Sequence, residues 1–532
     1  MSAFTGTGTM IRFVLRRDRI RLSIWTLALV GTTAVTVPTL DEAFPDEGSR
    51  QARAALMETP TGVVFGGPGY GLEDYTIGPM LVNELTASLL IALAVMSVLH
   101  VVRHTRAEEE SGRAELLRAG SLGSGAHTAA ALTTLGLVHL LIGGLVALSM
   151  IAFDLPTADS LAYGLGLALA GISFGAITAV CAQIGEHGRT IAGLAFLLIG
   201  AFFTARVVGD LAEEGGGLLS WASPFAWVQQ TRPFVDLRWE PLALYGAFLA
   251  ILFTIAHVLA GRRDLGAGLV AARPGPSGAG ALLKGVTTLH LRQQRGSVIT
   301  WTTAGLLFSF AFGTLATEIQ GMLDANPDLA VILGGDVDDL VGGFLAAIVG
   351  YVVMAGAAFA ALSVLRLWNE ENTGRAELIL STAVGRIHWF GGALAVTALA
   401  TTLIVVAGGL GMGAGASVAT EDLDWVPRMV GAALAALPAA LVFGALTALV
   451  LGAAPRLLPL VWLWLGYGVL VTMLGGLLGF PAWAMNLSAF DILPKPPMEA
   501  FEATPYLLYL GAVLVAGSVS LVAFRRRDLI TA

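Results

Sequence analysis

Apolar residues gather along this chain into twelve stretches, each parted from the next by a polar loop. In the first half they fall at 22–40, 80–102, 127–153, 160–184, 190–208 and 241–260. In the second half they fall at 297–317, 342–365, 389–415, 428–453, 457–479 and 505–524. A helix that crosses a bilayer needs about 20 mostly apolar residues, so each stretch predicts one span. The runs are continuous, whereas the strands of a membrane barrel would alternate apolar and polar positions. The expected fold is an all-α polytopic membrane protein with twelve transmembrane helices. Two semi-polar segments, Trp221 to Trp239 and Trp483 to Pro505, precede the sixth and twelfth spans. They are rich in Trp, Phe and Pro and predict interfacial or re-entrant helices, because tryptophan favours headgroup depth.

The second half repeats the first. Glu108-Glu109-Glu110-Ser111-Gly112-Arg113-Ala114-Glu115-Leu116 returns as Glu370-Glu371-Asn372-Thr373-Gly374-Arg375-Ala376-Glu377-Leu378, 262 residues on. Arg16, Arg19, Trp25 and Thr26 return as Arg292, Arg295, Trp301 and Thr302, at an offset of 276. Phe174 to Ala179 returns as Phe443 to Ala448 at 269, and Arg262-Arg263-Asp264-Leu265 as Arg526-Arg527-Asp528-Leu529 at 264. The matches are collinear, and the drift in offset marks insertions in loops. Residues 1–265 and 284–532 are therefore expected as two parallel six-helix repeats, joined by a Gly-, Ala- and Pro-rich cytoplasmic linker at 266–283.

Composition narrows the class. Of 532 residues, 56% are hydrophobic and 13% charged, against about a quarter charged in soluble domains. This excludes a soluble enzyme and a disordered chain. Twelve spans with the N-terminus inside put 23 basic and 11 acidic residues on the cytoplasmic side, and 7 basic and 27 acidic outside. The positive-inside rule therefore places both termini in the cytoplasm of a cell-membrane protein. Between Arg295 and Arg366 there is no basic residue, while Glu318, Asp324, Asp328, Asp336, Asp338 and Asp339 line one outer loop. The single cysteine, Cys181, is expected near the cytoplasmic end of the fourth span and excludes a disulfide framework or thiolate zinc site. No metal site is predicted. Arginine is preferred to lysine, 28 to 2, amid abundant Ala and Gly, which fits a GC-rich genome such as an actinobacterium's.

The strongest repeat lies in the loop after the second span of each half. Glu109 and Arg113, and again Glu371 and Arg375, stand four apart, the spacing of a helical ion pair. Leu116 and Leu117, with Leu378 and Ile379, add a small apolar edge. Such a helix suits a groove on a soluble partner; a solvated loop is the plain alternative, and its recurrence argues against that. The paired glutamates followed by Gly, two residues, Glu and Leu resemble the signature of ABC-2-type (type V) exporter permeases. Asn369 to Arg386, ending Leu-Ser-Thr-Ala-Val-Gly-Arg, is the closer copy. The duplicated twelve-span plan is similar to actinobacterial permeases that export polyketide antibiotics or multiple drugs.

That resemblance implies a coupling role toward a separate ABC ATPase for Glu108, Glu109, Arg113, Glu115, Glu370, Glu371, Arg375 and Glu377. It implies two ATPase copies carrying ATP and Mg, with no cofactor in this chain. It further makes Met10 to Leu22, with Phe13, Val14 and Ile20 among five arginines, an amphipathic connecting helix on the membrane surface. The chain itself has no P-loop, since Lys284 follows Leu283 and Lys495 follows Pro494. It is thus expected to be a non-catalytic subunit.

Other candidates are less specific. Gly171-Ile172-Ser173-Phe174-Gly175 spells a nucleophile elbow but lies within a span, where glycines four apart favour helix packing. His139, midway along the third span, is a candidate functional group or a neutral tie to a neighbouring helix. Glu84, beside Asn83, and Arg206 lie near outer span ends and either pair with one another or snorkel to water. In the family, the first, second and fifth spans of each half face the axis. On that pattern Asn83, Glu84, Phe196, Phe202, Phe203, Phe308, Phe312, Trp464 and Tyr467 are candidates for the pathway of a hydrophobic substrate. An ion-coupled secondary transporter is the alternative, but no acidic residue is expected near a midplane and the major-facilitator loop pattern is missing. A membrane-embedded transferase lacks a catalytic constellation, and nothing suggests nucleic acid as a partner.

Overall fold

The computed structural model describes residues 3–120, 122–264, 266–270, 277–280, 283–317, 320, 337–474, 481–494 and 502–529. Glu318, Asp324, Asp328 and Asp336 of the acidic loop, Lys495, and the stretch 495–501 within the second Trp- and Pro-rich segment lie outside the described residues. The described residues are helical and contain no strand.

Among the described residues, twelve helices are long and apolar enough to cross a membrane. In order they are Thr7–Ala43, Ile77–Glu110, Ala126–Ala152, Thr157–Ile184, Gly188–Ala212, Glu240–Ala260, Val286–Gly313, Val341–Asn372, Arg386–Thr420, Trp425–Ala453, Pro455–Thr472 and Ala503–Arg526. Each contains one of the twelve apolar stretches or most of it. The chain divides into two compact units, Met1–Gly275 and Pro276–Ala532, and the division falls within the Gly- and Pro-rich joint.

Each unit has the same internal packing. In the first, the third span packs on the first and fourth, and the fourth also packs on the second and sixth. In the second, the ninth span packs on the seventh and tenth, and the tenth on the eighth and twelfth. Small residues permit these approaches, as expected where lipid supplies no hydrophobic drive. A Cβ on Gly143 would collide with the carbonyl of Gly164 on the next span, and one on Gly409 would press on Ala433 and Met429. Both contacts join the third span of a unit to its fourth, so each unit uses a glycine for the same close approach.

One expectation is corrected. Met10 to Leu22 is not a separate surface helix. It is the first part of one unbroken helix, Thr7–Ala43, of 37 residues. No Gly or Pro stands between Met10 and Val30 to break it. Elsewhere Gly171 is a packing residue, since a Cβ there would strike the ring of His139. Ser173 is buried and donates to the carbonyl of Leu169 on its own helix at 2.9 Å. His139 takes the neutral-tie reading: Nδ1 donates to the Leu135 carbonyl at 2.9 Å and Nε2 lies 3.2 Å from Ser97 Oγ on the second span. Cys181 is buried near the C-terminal end of Thr157–Ile184.

Candidate functional site: two arginine-clamped loops

The repeated loop is the end of each unit's second span, a turn at glycine and one short helix. Gly112 and Gly374 both stand at φ 72°. That left-handed conformation costs a glycine little and other residues more. It ends the helix before it and starts Arg113–Arg118 in the first unit and Arg375–Leu380 in the second. The turn removes the spacing on which the Glu109–Arg113 and Glu371–Arg375 pairs were expected, and neither pair forms.

Arg113 instead reaches Glu108, with Nε at 2.8 Å from one carboxylate oxygen and Nη2 at 3.2 Å from the other. Arg375 repeats this with Glu370, at 2.9 Å. The hydrogen bond to Glu108 raises the pKa of Arg113, which keeps the pair ionised. Glu108 is held from its other side by Arg17 of the first span at 2.7 Å.

The second glutamate of each loop takes an arginine from beyond the sixth span of its own unit. Arg263 grips Glu109 with both terminal nitrogens, at 2.8 and 2.9 Å. Arg527 grips Glu371 in the same fork, at 2.7 and 2.5 Å. A guanidinium facing a carboxylate through two parallel bonds fixes orientation as well as distance. Arg106 adds a third tie in the first unit: it is fully buried and donates to Glu109 at 3.0 Å and to the carbonyl of Ala182 at 2.6 Å. Arg263 and Arg527 were legible as a repeated Arg-Arg-Asp-Leu sequence, but that sequence did not reveal their partners.

The outer side of the same element is free of these ties. Glu115 and Glu377 are exposed, and Leu116 and Leu378 are 77% and 74% exposed. The loop therefore presents a bare apolar and acidic face while its other face is pinned to spans one, four and six of the first unit, and to span six in the second.

The pathway candidates separate. Asn83 is buried and donates to the Tyr70 carbonyl at 3.1 Å. Glu84 pairs with Arg53 at 2.9 and 3.1 Å, and Arg206 with Asp210 at 2.8 Å. Glu84 and Arg206 therefore do not pair with one another, since each holds a different partner. Phe202 and Phe203 pack edge-on against Phe248 and Phe225 inside the first unit. Phe196 is 39% exposed. Trp464 and Tyr467 donate to the carbonyls of Leu487 and Ala484 and so hold the segment that follows the eleventh span. Phe308 packs on Phe312 and lines a shallow apolar recess with Trp301 and Tyr351.

A cavity that was not foreseen lies within the second unit. It encloses about 200 Å³ between the eighth and tenth spans, with Phe490 and Thr472 on its wall. Gly343, Ala347, Ala432 and Ala436 line it. At the same positions of the first repeat stand Leu81, Leu85, Tyr163 and Leu167. Tyr163 there is fully buried, with its hydroxyl 3.1 Å from Thr86 Oγ1. The cavity is therefore what remains when four larger side chains are trimmed from one fold.

Twelve apolar helices in two similarly packed units, each with a clamped loop after its second helix, define a duplicated polytopic membrane protein. Sequence comparison carries this further. A family model described as the C-terminal domain of the multidrug efflux system permease Rv1217c matches residues 283–525. The multidrug efflux system permease protein Rv1217c of Mycobacterium tuberculosis (strain ATCC 25618 / H37Rv) is 37% identical over 539 residues, covering 99% of this chain and 96% of the relative. The chain belongs to this family of multidrug efflux permeases.

Proposed function

We propose that this chain is the membrane subunit of an ATP-driven exporter that moves hydrophobic or amphipathic compounds, drugs or antibiotics among them, out of the cell. Its energy comes from a separate ABC ATPase, one copy beneath each clamped loop, which carries the ATP and Mg. The termini, the clamped loops and the linker face the cytoplasm, as the charge distribution favours. Glu115 and Glu377 with Leu116 and Leu378 form the docking face. The pinned side passes the motion on to the spans. The observation that carries this reading is the duplicated clamp: two loops diverged elsewhere both retain a fork from the end of their own sixth span. A solvated loop would need no such anchor. An ATPase drives transport only through an element that differs between inward- and outward-facing states.

The test is export of an apolar fluorescent dye from proteoliposomes containing the chain with its ATPase. Transport should require ATP and survive an ionophore that collapses ion gradients. The chain alone should hydrolyse no ATP. Glu109→Arg together with Glu371→Arg should abolish export, and adding Arg263→Glu and Arg527→Glu should recover part of it. Export that follows an ion gradient without ATP would establish the ion-coupled alternative instead. Normal export by the double reversal would remove the clamped loops from the mechanism.

A further inference from the structure

We propose that the first unit holds a buried site for one transition-metal ion of the zinc class, formed by Asp18, His100 and His104. His100 and His104 stand four apart on the second span, so both rings leave the same face, with centroids 4.7 Å apart. Asp18 reaches them from the first span. The three residues are 2–5% exposed, and one ligand atom from each lies within 4.8 Å of the others. Zinc sits about 2.0–2.2 Å from nitrogen and carboxylate ligands, which puts two ligands of a tetrahedral ion about 3.4 Å apart. His104 and Asp18, at 2.6 Å, part slightly to admit the ion, and side-chain rotation closes the wider separations by up to about 1.4 Å.

The surroundings suit a metal. Nε2 of His100 lies 3.2 Å from the carbonyl of Ala131. A carbonyl only accepts, so this nitrogen carries the proton and Nδ1 keeps its lone pair for an ion. A ligand histidine whose other N–H is spent on a carbonyl is the usual outer-shell arrangement. Nε2 of His104 lies 2.6 Å from Asp18 Oδ2, a hydrogen bond that the two groups would exchange for bonds to the ion. Arg103 also faces Asp18, with Nε 3.2 Å from Oδ1, but it makes no hydrogen bond there and is 37% exposed. It can move outward when the ion supplies the positive charge. Nitrogen and oxygen donors without thiolate favour Zn²⁺, with a position left for water.

The repeat supplies an independent argument. The corresponding positions of the second unit hold Gln294, Leu362 and Arg366. Gln294 is buried like Asp18 and accepts a hydrogen bond from Ser363 at 2.6 Å. The six-span fold is thus closed there by a neutral pair, and it does not require two histidines and an aspartate. Asp18 also follows Arg17, which holds Glu108. An ion here would pin the first span to the second at the base of one clamped loop.

The full chain should be purified through a tag without histidines, loaded with Zn²⁺, passed over a desalting column and measured by elemental mass spectrometry. We expect one zinc per chain, and after exchange with Co²⁺ a visible band of a four-coordinate ion. His104→Ala and Asp18→Asn should lose stoichiometric zinc. His139→Ala, which removes a buried histidine elsewhere in the same unit, should keep it. No zinc retained by the parent chain, or equal retention by the His104 and Asp18 variants, overturns the proposal. Because the parent chain's metal content decides the first point, a poorly folding variant leaves the test intact.

Discussion

Replacing Arg263 or Arg527 by alanine removes the fork that ties each loop to the end of its sixth span. Arg263 and Glu109 are 9% and 10% exposed, and Arg527 and Glu371 are 13% and 2% exposed. Exposed ion pairs contribute about 0–1 kcal/mol, while stranding one member of a fully buried pair costs about 3–5 kcal/mol. These pairs are nearly buried, and Arg106 at 3.0 Å still faces Glu109 after the change. We therefore expect each alanine variant to lose about 2–4 kcal/mol, between those limits. Lysine in place of either arginine should recover only part of the loss, since it offers a point charge where the site is shaped for a planar fork. The assay is reversible unfolding in detergent followed by tryptophan fluorescence, on the parent, Arg527→Ala, Glu371→Ala and the double variant, with dye export measured alongside. A coupling energy well above the roughly 0.5 kcal/mol within which independent sites add would establish the contact. Additive changes, or alanine variants as stable as the parent, would refute the clamp as a mechanical tie.

The cavity of the second unit should close when it is given the first unit's residue: Ala432→Tyr is expected to leave the chain folded and to lower export of apolar dyes at least several-fold. Unchanged export of every dye would mean the cavity is off the pathway. A dry apolar cavity of about 150 Å³ accepts benzene, so single-ring compounds are the first ligands to test for protection against this loss. With native Cys181 replaced by alanine, a cysteine at Ser277 should react with impermeant maleimide only in inside-out vesicles, and one at Asp336 only in intact cells. Reaction of both from one side would refute the assigned topology.

The spans were legible because the requirement is crude: about 20 apolar residues, read once along the chain. The duplication was legible because it needs only short identities in the same order along the two halves. The ion pairs were not. Helical spacing predicted Glu109 with Arg113, but Gly112 in a left-handed conformation turned the chain between them. The true partner, Arg263, stands 154 residues away. The same holds for Glu84, whose partner Arg53 lies on a short helix that has no apolar signature. Asp18 and His104 meet across 86 residues, and nothing in either local sequence points to the other. Aromatic content and the family's axial fifth span make Trp464 and Tyr467 candidates for a substrate pathway. In the fold their polar tips are occupied by backbone carbonyls.

The two units depart from their common plan in a consistent direction. In the first, Glu108 is held by Arg17 as well as Arg113, so its loop is tied to span one, to span six through Arg263 and to span four through Arg106. In the second, Glu370 is held by Arg375, and the position corresponding to Arg17 is Gln293, whose carbonyl accepts from Arg366 at 3.3 Å. The position corresponding to Arg106 is Trp368. The first unit is also the one in which Leu81, Leu85, Tyr163 and Leu167 fill the space that the second leaves open. Tightly packed helices with several charged ties transmit a displacement with little loss, whereas a cavity is a place where side chains and helices have room to rearrange. A push on the first loop therefore moves spans joined by several charged ties, and the same push on the second moves spans that line an apolar cavity. Under the proposed mechanism, the cavity between the eighth and tenth spans changes shape when the second loop moves. A duplicated protein gains from such a division, since one half can hold its form while the other half alters the affinity for what it carries.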